Sequence, residues 1–242
     1  MRKLHWSVLK RIYKLRGRFG VYARLDRRWL LDNHNWVDQQ LIIRRPYEVE
    51  QLARCRKFVQ EHQLQVFLDI GANFGLYSVL LADEPGLAEA HAFEPLLRNI
   101  HQLGANLYLN DLDQRVQVHA YALSDRSGKV DLYVDPESTG VSTMQPVGPR
   151  STSGVYQTTL QVEACVFDEQ WSFSGIRALV KIDVEGAELR VLAGMSNFLA
   201  SNKAVLQVET TQQTCTGVCD LMEKAGYKTL GNVGPDYYFG NI

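Results

Sequence analysis

Residues 66–75 read VFLDIGANFG. A run of strand-compatible side chains meets an acid, Asp69, then Gly71, then a second glycine, Gly75, four positions on. The next seven residues, LYSVLLA, read as a helix. Strand, glycine turn and helix start thus follow in one line. Such a junction sets backbone N–H groups and the positive end of a helix dipole at the carboxyl edge of a sheet. Open α/β sheets bind their ligands at that edge.

The rest of the chain repeats the alternation. Expected strands are 88–93, 116–122, 178–183 (ALVKID) and 204–209 (AVLQVE), with helices at 96–109, 186–199 and 215–225. A closing antiparallel hairpin is expected from 227–230 and 236–239 around Gly231-Asn232-Val233-Gly234. Upstream, 48–62 reads as a helix, 21–46 as irregular, and Leu41-Ile42-Ile43 as a short strand. Strands at 129–134 and 159–166 bracket an insertion. Its middle, 135–154, is rich in Pro, Gly, Ser and Thr and reads as a mobile loop or lid. The pattern predicts a mostly parallel sheet covered on both faces, with a reversed strand at its end.

Charge is distributed unevenly. Residues 1–30 hold ten basic side chains and one acid, Asp26, whereas the other 212 residues carry a net charge of −10. Leu4, Val8, Ile12, Leu15 and Phe19 form a helical apolar stripe, with lysines and an arginine on the opposite side. The expectation is a basic N-terminal helical arm or cap over 1–45 and a catalytic domain over 46–242. The arm packs on the domain or a second subunit, or makes peripheral membrane contact through residues 1–20. No apolar run reaches a membrane-spanning length, and the basic start lacks the layout of a signal peptide. Of Cys55, Cys165, Cys215 and Cys219 only the last two are close, and no second pair flanks them. A zinc site is therefore not expected, and reduced thiols of a cytoplasmic protein are.

The ligand is narrowed by what surrounds the turn. Glu94 follows Asp69 by 25 residues, at the end of the second strand, where a carboxylate can take ribose hydroxyls. A dinucleotide fingerprint needs G-x-G-x-x-G, but Asn73 stands where the second glycine would be. No phosphate-binding Gly-Lys-Ser/Thr exists either. An acid beside the first glycine repels a pyrophosphate and suits a cofactor with a cationic amino-acid end, which S-adenosylmethionine has.

FLDIGANFGLYSVLLA (67–82), FEP (93–95), ALSD (122–125) and KIDVEGAELRVLAG (181–194) resemble the FkbM-type S-adenosylmethionine-dependent methyltransferases. The resemblance spans about residues 66–210. It implies a class I methyltransferase (Rossmann-like) fold, an α/β seven-stranded mostly parallel sheet with a reversed last strand. By position it implies that Asp69, Gly71, Asn73 and Gly75 surround the methionine part and that Glu94 holds the ribose. It likewise implies Ser124 and Asp125 beside the adenine, and Asp183 and Glu185 next to the transferred methyl.

Transfer to a hydroxyl benefits from a general base. Asp183 is the first candidate and Glu209, at the same sheet edge, the next. Glu188 falls in the first turn of a helix, where dipole compensation accounts for it. Lys181 is expected to pair with an acid, and His91 and His119 to be satisfied core or edge residues; the role of His34 is open. Asp183 and Glu209 would suffice for one Mg²⁺, but no His/Asp/Glu cluster declares a metal site and none is expected. The resemblance points to O-methylation of a sugar hydroxyl on a polysaccharide, glycolipid or glycosylated natural product. The basic arm favours a lipid-linked acceptor at the inner face of a membrane. A nicotinamide-dependent oxidoreductase and a non-catalytic S-adenosylmethionine-binding membrane adaptor are the alternatives. Nucleic acid is not an expected partner, because the basic charge is confined to the arm and no Asn/Asp-Pro-Pro-Tyr/Phe segment occurs. The sequence leaves the oligomeric state open.

Overall fold

The computed structural model describes residues 13, 15, 17–134, 142, 144 and 158–242. Most of the 4–19 stripe, of the expected membrane contact at 1–20 and of the 135–154 segment lies outside the described residues.

An antiparallel pair, β1 (Phe19–Arg24) and β2 (Arg27–Asp32), is followed by α1 (Trp36–Ile42) and α2 (Val49–His62). The alternation then runs β3 (Val66–Ile70), α3 (Leu76–Leu81), β4 (Glu89–Phe93), α4 (Leu97–Tyr108) and β5 (Val116–His119). A small inserted sheet contains β6 (Ala122–Leu123), β7 (Gly128–Val134) and β8 (Thr158–Cys165), and α5 (Phe167–Gln170) follows it. The chain continues through β9 (Arg177–Ile182), α6 (Glu188–Ala193), α7 (Ser196–Ser201) and β10 (Lys203–Glu209). It ends with α8 (Cys215–Lys224), β11 (Lys228–Val233) and β12 (Asp236–Gly240).

Seven strands form one sheet in the order β11-β12-β10-β9-β3-β4-β5. Strand β12 runs antiparallel to both its neighbours, and β10, β9, β3, β4 and β5 are parallel. This is the class I methyltransferase sheet. Its inner strands are apolar on both faces because both faces are covered. Phe67, Leu179 and Val205 pack into one core with α2, α3 and α4. Leu68, Val180 and Leu206 pack into the other with α6, α7 and α8. Among the described residues no helix is long and apolar enough to cross a membrane.

Four local expectations are corrected. Residues 21–46 are not irregular but hold the β1–β2 hairpin and α1, and Phe19 opens a strand rather than closing a helical stripe. Leu41 and Ile42 end a helix instead of forming a strand. Asn35 Oδ1 caps that helix by accepting from Val37 N–H at 3.0 Å and Asp38 N–H at 3.4 Å. Its last turn is closed by Arg44 N–H donating to Leu41 O and Arg45 N–H donating to Gln40 O. Capping at both ends outweighs the weak strand preference of Ile-Ile.

The expected 116–122 strand divides, with 116–119 in the large sheet and 122–123 in the small one. The expected 186–199 helix also divides, at Gly194. A side chain there would place its Cβ 2.2 Å from the Ser124 carbonyl oxygen. Asp168, on α5, caps α7. Its carboxylate accepts from Asn197 N–H at 2.7 Å and Phe198 N–H at 3.0 Å, at the start of α7.

The hairpin and α1 belong to the same packed interior as the sheet. Trp29, Leu31 and Ile42 are fully buried alongside Phe74, Tyr77 and Leu103. Each such side chain stabilises by about 1.5–3 kcal/mol. Amide side chains of α4 fix the hairpin's register: Leu30 N–H donates to Asn106 Oδ1 at 2.6 Å, and Gln102 Nε2 donates to Leu30 O at 3.0 Å.

Candidate active site

Side chains alternate along strands, so Asp69, Lys181 and Gln207 emerge on the same face as Phe67, Leu179 and Val205. The parallel register sets Asp69 beside Lys181 and Lys181 beside Gln207. A polar row therefore crosses three central strands at their carboxyl ends. Glu209 and Asp236 extend it as a cross-strand pair.

Lys181 is the cation of this row. Its Nζ lies 3.1 Å from Asp183 Oδ2, 3.9 Å from Asp69 Oδ1 and 5.0 Å from the centre of the Tyr77 ring. Burial works against its charge, but Asp183 and Asp69 outweigh burial and raise its pKa. Lys181 thus pairs with acids as the sequence suggested, and with two of them.

Asp69 is 1% exposed, and its Oδ2 accepts from Ser78 Oγ at 2.6 Å. Oδ1 has no hydrogen-bond partner, and burial pushes the carboxyl pKa up. Gly71 follows at φ +81°, a left-handed conformation. A Cβ there would stand 1.8 Å from the Asp183 carbonyl oxygen. Only glycine lets the two strand ends approach so closely. The N–H groups of Gly71 and Ala72 both donate to Phe93 O at 3.0 Å, which ties the turn to β4.

Glu94 completes that tie. It accepts from Asn73 N–H at 2.8 Å, Leu96 N–H at 2.9 Å and Asn99 Nδ2 at 3.3 Å. Burial pushes its pKa up to about 7 against these bonds. Glu94 therefore braces the glycine turn and the start of α4 while still facing the cavity.

The cavity opens at the carboxyl ends of β3, β4 and β9, and Gly71, Asn73, Glu94, Tyr121, Asp183 and Glu185 are among its walls. Its free volume is about 70 Å³, less than a nucleoside occupies. Of the residues the sequence pointed to, Gly71, Asn73, Glu94, Asp183 and Glu185 come together on this cavity. Gly75 is the N-cap of α3. Ser124 and Asp125 sit just past the wall formed by residues 121–123. Ser124 is buried, and its Oγ donates to Asp125 Oδ1 at 3.1 Å.

Asp183 is the partly exposed carboxylate, at 29% for its side chain. Its N–H donates to Ile70 O at 3.0 Å, which holds the end of β9 against β3. Glu185 sits at φ +50° and Gly186 at φ +99°, and this left-handed pair makes the turn into α6. Burial, followed by the charge of Asp183, pushes Glu185 up to about 8. The charge of Asp183, followed by burial, pushes Glu209 up to about 10. The charge of Asp183 thus favours the protonated form of Glu209, and Asp183 pairs with Lys181. Glu188 is buried and accepts from Gly186 N–H at 2.7 Å, so it braces the turn.

Several residues at this edge escaped the sequence reading. Tyr77 Oη donates to Glu48 Oε2 at 2.9 Å and accepts from Gln207 Nε2 at 2.9 Å. Gln207 Nε2 also reaches Asp236 Oδ1 at 2.8 Å. Gln207 carried a signal, being the one amide in the apolar strand AVLQVE. Tyr77 and Glu48 carried none, because their partners lie far away in sequence. His91 and His119 are satisfied by one another, with Nδ1 and Nε2 2.9 Å apart. Burial, helped by His91, lowers His119 to about 4.

The donor set suits a nucleoside carrying a cationic end. Acids crowd the edge around a single lysine, the buried Asp69 Oδ1 has no hydrogen-bond partner beyond its ion pair with Lys181, and Gly71 removes the side chain that would fill the approach. Asn73 N–H, which a pyrophosphate site would need, is already given to Glu94. Among the described residues no group of three or more His, Cys, Asp or Glu side chains is placed to hold a metal ion.

Comparison with known proteins agrees with this picture. Residues 69–229 match the family described as the methyltransferase FkbM domain. The chain is similar to methyltransferase sdnD of Sordaria araneosa, with 28% identity over 153 residues, which is 53% of this chain and 59% of that protein. It thus spans about 59% of the length of that curated relative. Among solved structures it resembles the methyltransferase FkbM of Methylobacillus flagellatus KT. The TM-score is 0.50 and the identity 17%, over 73% of this chain and 44% of that one. The family match covers more than half of the sequence, and the chain belongs to the FkbM methyltransferase family.

Proposed function

We propose that this chain is an S-adenosylmethionine-dependent O-methyltransferase acting on a sugar hydroxyl, with Asp183 as the base. The observation that carries the reading is the position of Asp183. It is the carboxylate that both lines the cavity and pairs with Lys181, 3.1 Å away. When bound, S-adenosylmethionine supplies a methyl group on a cationic sulfur.

The chain's residues would do four things. Gly71 and Asn73 would let the ligand approach the backbone, with Asp69 and Lys181 setting the field behind them. Glu94 would face the sugar part of the nucleoside. Glu185 and the protonated Glu209 would lower the negative charge around Asp183, so that one carboxylate remains to act. Asp183 would accept the proton from the acceptor hydroxyl as the new carbon–oxygen bond forms. Because the transfer neutralises charge, most of the rate comes from positioning and from excluding water. The acceptor would be part of a glycan, a glycolipid or a glycosylated natural product. Contact of residues 1–20 with a membrane is part of this proposal.

Calorimetry with S-adenosylhomocysteine and, separately, with NAD tests the cofactor. Binding of the first and not the second is expected. Mass spectrometry of glycans and glycolipids from host cells with and without the gene tests the acceptor. Loss of one methylene's mass from a sugar is expected, and loss from a protein, nucleic acid or amine instead would overturn the sugar reading.

A further inference from the structure

A second groove, of about 650 Å³, lies where the β1–β2 hairpin meets the end of α1. Its walls carry Arg24, Arg27, Arg28, Arg44 and Arg45, with Asp26 the acid among them. We propose that this groove binds the phosphate group of a phosphorylated acceptor. What the anion belongs to rests on the function proposed above; the anion site itself does not.

The arginines divide by their present partners. Arg24 is spent on structure, since its Nη2 donates to Ile42 O at 2.7 Å and its Nε to Leu41 O at 3.1 Å. Arg27 Nη2 pairs with Asp83 at 2.5 Å, and Arg45 Nη1 donates to Gln40 Oε1 at 3.1 Å. Arg28 and Arg44 are exposed, and among the described residues neither guanidinium has an acidic partner. Two guanidinium forks are therefore available, with three more arginines to supply field.

The backbone argues that this charge is kept at a cost. The hairpin register sets Arg24 directly opposite Arg27 and Arg28 opposite Ala23. Like charges facing each other across a strand pair destabilise it. The two turn residues, Leu25 and Asp26, both have positive φ, at +50° and +57°, without a glycine. Arg44 has φ +56° at the left-handed position that ends α1, where glycine is the usual residue. Strained, like-charged residues gathered on one groove mark a functional surface.

Phosphate fits better than a carboxylate. Guanidinium forks pair bidentately with phosphate, and a phosphate ester offers enough oxygens for more than one fork. The groove also has room for the group that carries it. Tyr47 forms part of the groove's apolar wall, and burial, followed by the charges of Glu48, Asp183 and Glu209, raises its pKa.

Calorimetry with inorganic pyrophosphate, at fixed ionic strength, tests the site in the full chain. The chain is expected to bind pyrophosphate saturably and to bind glucose 1-phosphate more tightly than glucose. The double variant Arg28→Gln/Arg44→Gln should weaken pyrophosphate binding at least tenfold, with its melting temperature and S-adenosylhomocysteine affinity unchanged. No saturable binding by the wild type, or equal binding by the double variant, overturns the site. If pyrophosphate is ignored while vesicles of phosphatidylcholine and phosphatidic acid bind in an Arg28- and Arg44-dependent way, the groove is a membrane surface and the proposal is overturned. Failure of S-adenosylhomocysteine to bind the wild type would instead count against the proposed methyl transfer.

Discussion

A Cβ on residue 71 would stand 1.8 Å from the carbonyl oxygen of Asp183. The glycine turn and the backbone of the candidate base thus approach closely. Gly71→Ala must both push β9 away and hold a left-handed φ of +81°. The expected cost is about 3 kcal/mol from overpacking and backbone strain together. For a domain of this size that lowers the melting temperature by about 6–12 °C. Scanning calorimetry measures it, and a loss below about 2 °C would contradict the close approach.

Asp183→Asn removes the base while leaving a side chain of the same shape. The rate of methyl transfer is expected to fall about 10²- to 10⁴-fold, with S-adenosylhomocysteine affinity changed by less than about threefold. Stopped-assay kinetics alongside calorimetry separate the two quantities. An unchanged rate would remove Asp183 from the chemistry and return it to a structural role beside Lys181.

Stability should decline as pH rises from mildly acidic to alkaline values. Asp38 at about 6, Glu48 and Glu94 at about 7 and Glu185 at about 8 are raised chiefly by burial. Glu209 at about 10 is raised chiefly by Asp183. A carboxyl with a raised folded pKa contributes stability that is complete below its unfolded value and is lost as pH rises through the folded one. His119 has the opposite sign. Its folded value of about 4 lies below the unfolded 6.5, so its contribution is present above 6.5 and lost as pH falls through 4. The melting temperature is expected to fall as pH rises from about 5 to about 9, with His119 offsetting part of the fall below 6.5 and only Glu185 and Glu209 contributing above about 7. Glu209→Gln should flatten part of that fall. A melting temperature that climbs over the same interval would show that the carboxyls are ionised in the folded chain.

Tyr77→Phe deletes the hydroxyl shared by Glu48 and Gln207. Leaving buried polar atoms short of a partner costs about 1–3 kcal/mol. Urea titration should show a lower midpoint with an unchanged slope. A midpoint equal to the wild type would mean that water replaces the hydroxyl there.

The sheet and the glycine turn were legible because they rest on local pattern. Apolar runs such as ALVKID and AVLQVE, each ending in an acid, fix both strand identity and which end faces the ligand. The hairpin at 19–32 was illegible for a physical reason. Its turn residues, Leu25 and Asp26, lack the glycine that normally announces such a turn, and its register is set by amides on α4, far along the chain. Leu41-Ile42 misled because side-chain preference is weaker than a cap at Asn35. At the site, Asp183, Glu94 and Gly71 could be named from position. That Lys181 stands between Asp69 and Asp183 requires the register of β3 against β9, which no single strand reveals.

One amide ties two regions that the sequence keeps apart. Asn106 Nδ2 donates to Phe74 O, inside the glycine turn, at 2.8 Å, and its Oδ1 accepts from Leu30 N–H, on the hairpin, at 2.6 Å. A planar amide gripped at both ends behaves as a tie rod. A displacement of the turn is carried to β2 unless one of the two bonds breaks. Loss of the Asn106 side chain would therefore release the glycine turn and β2 together.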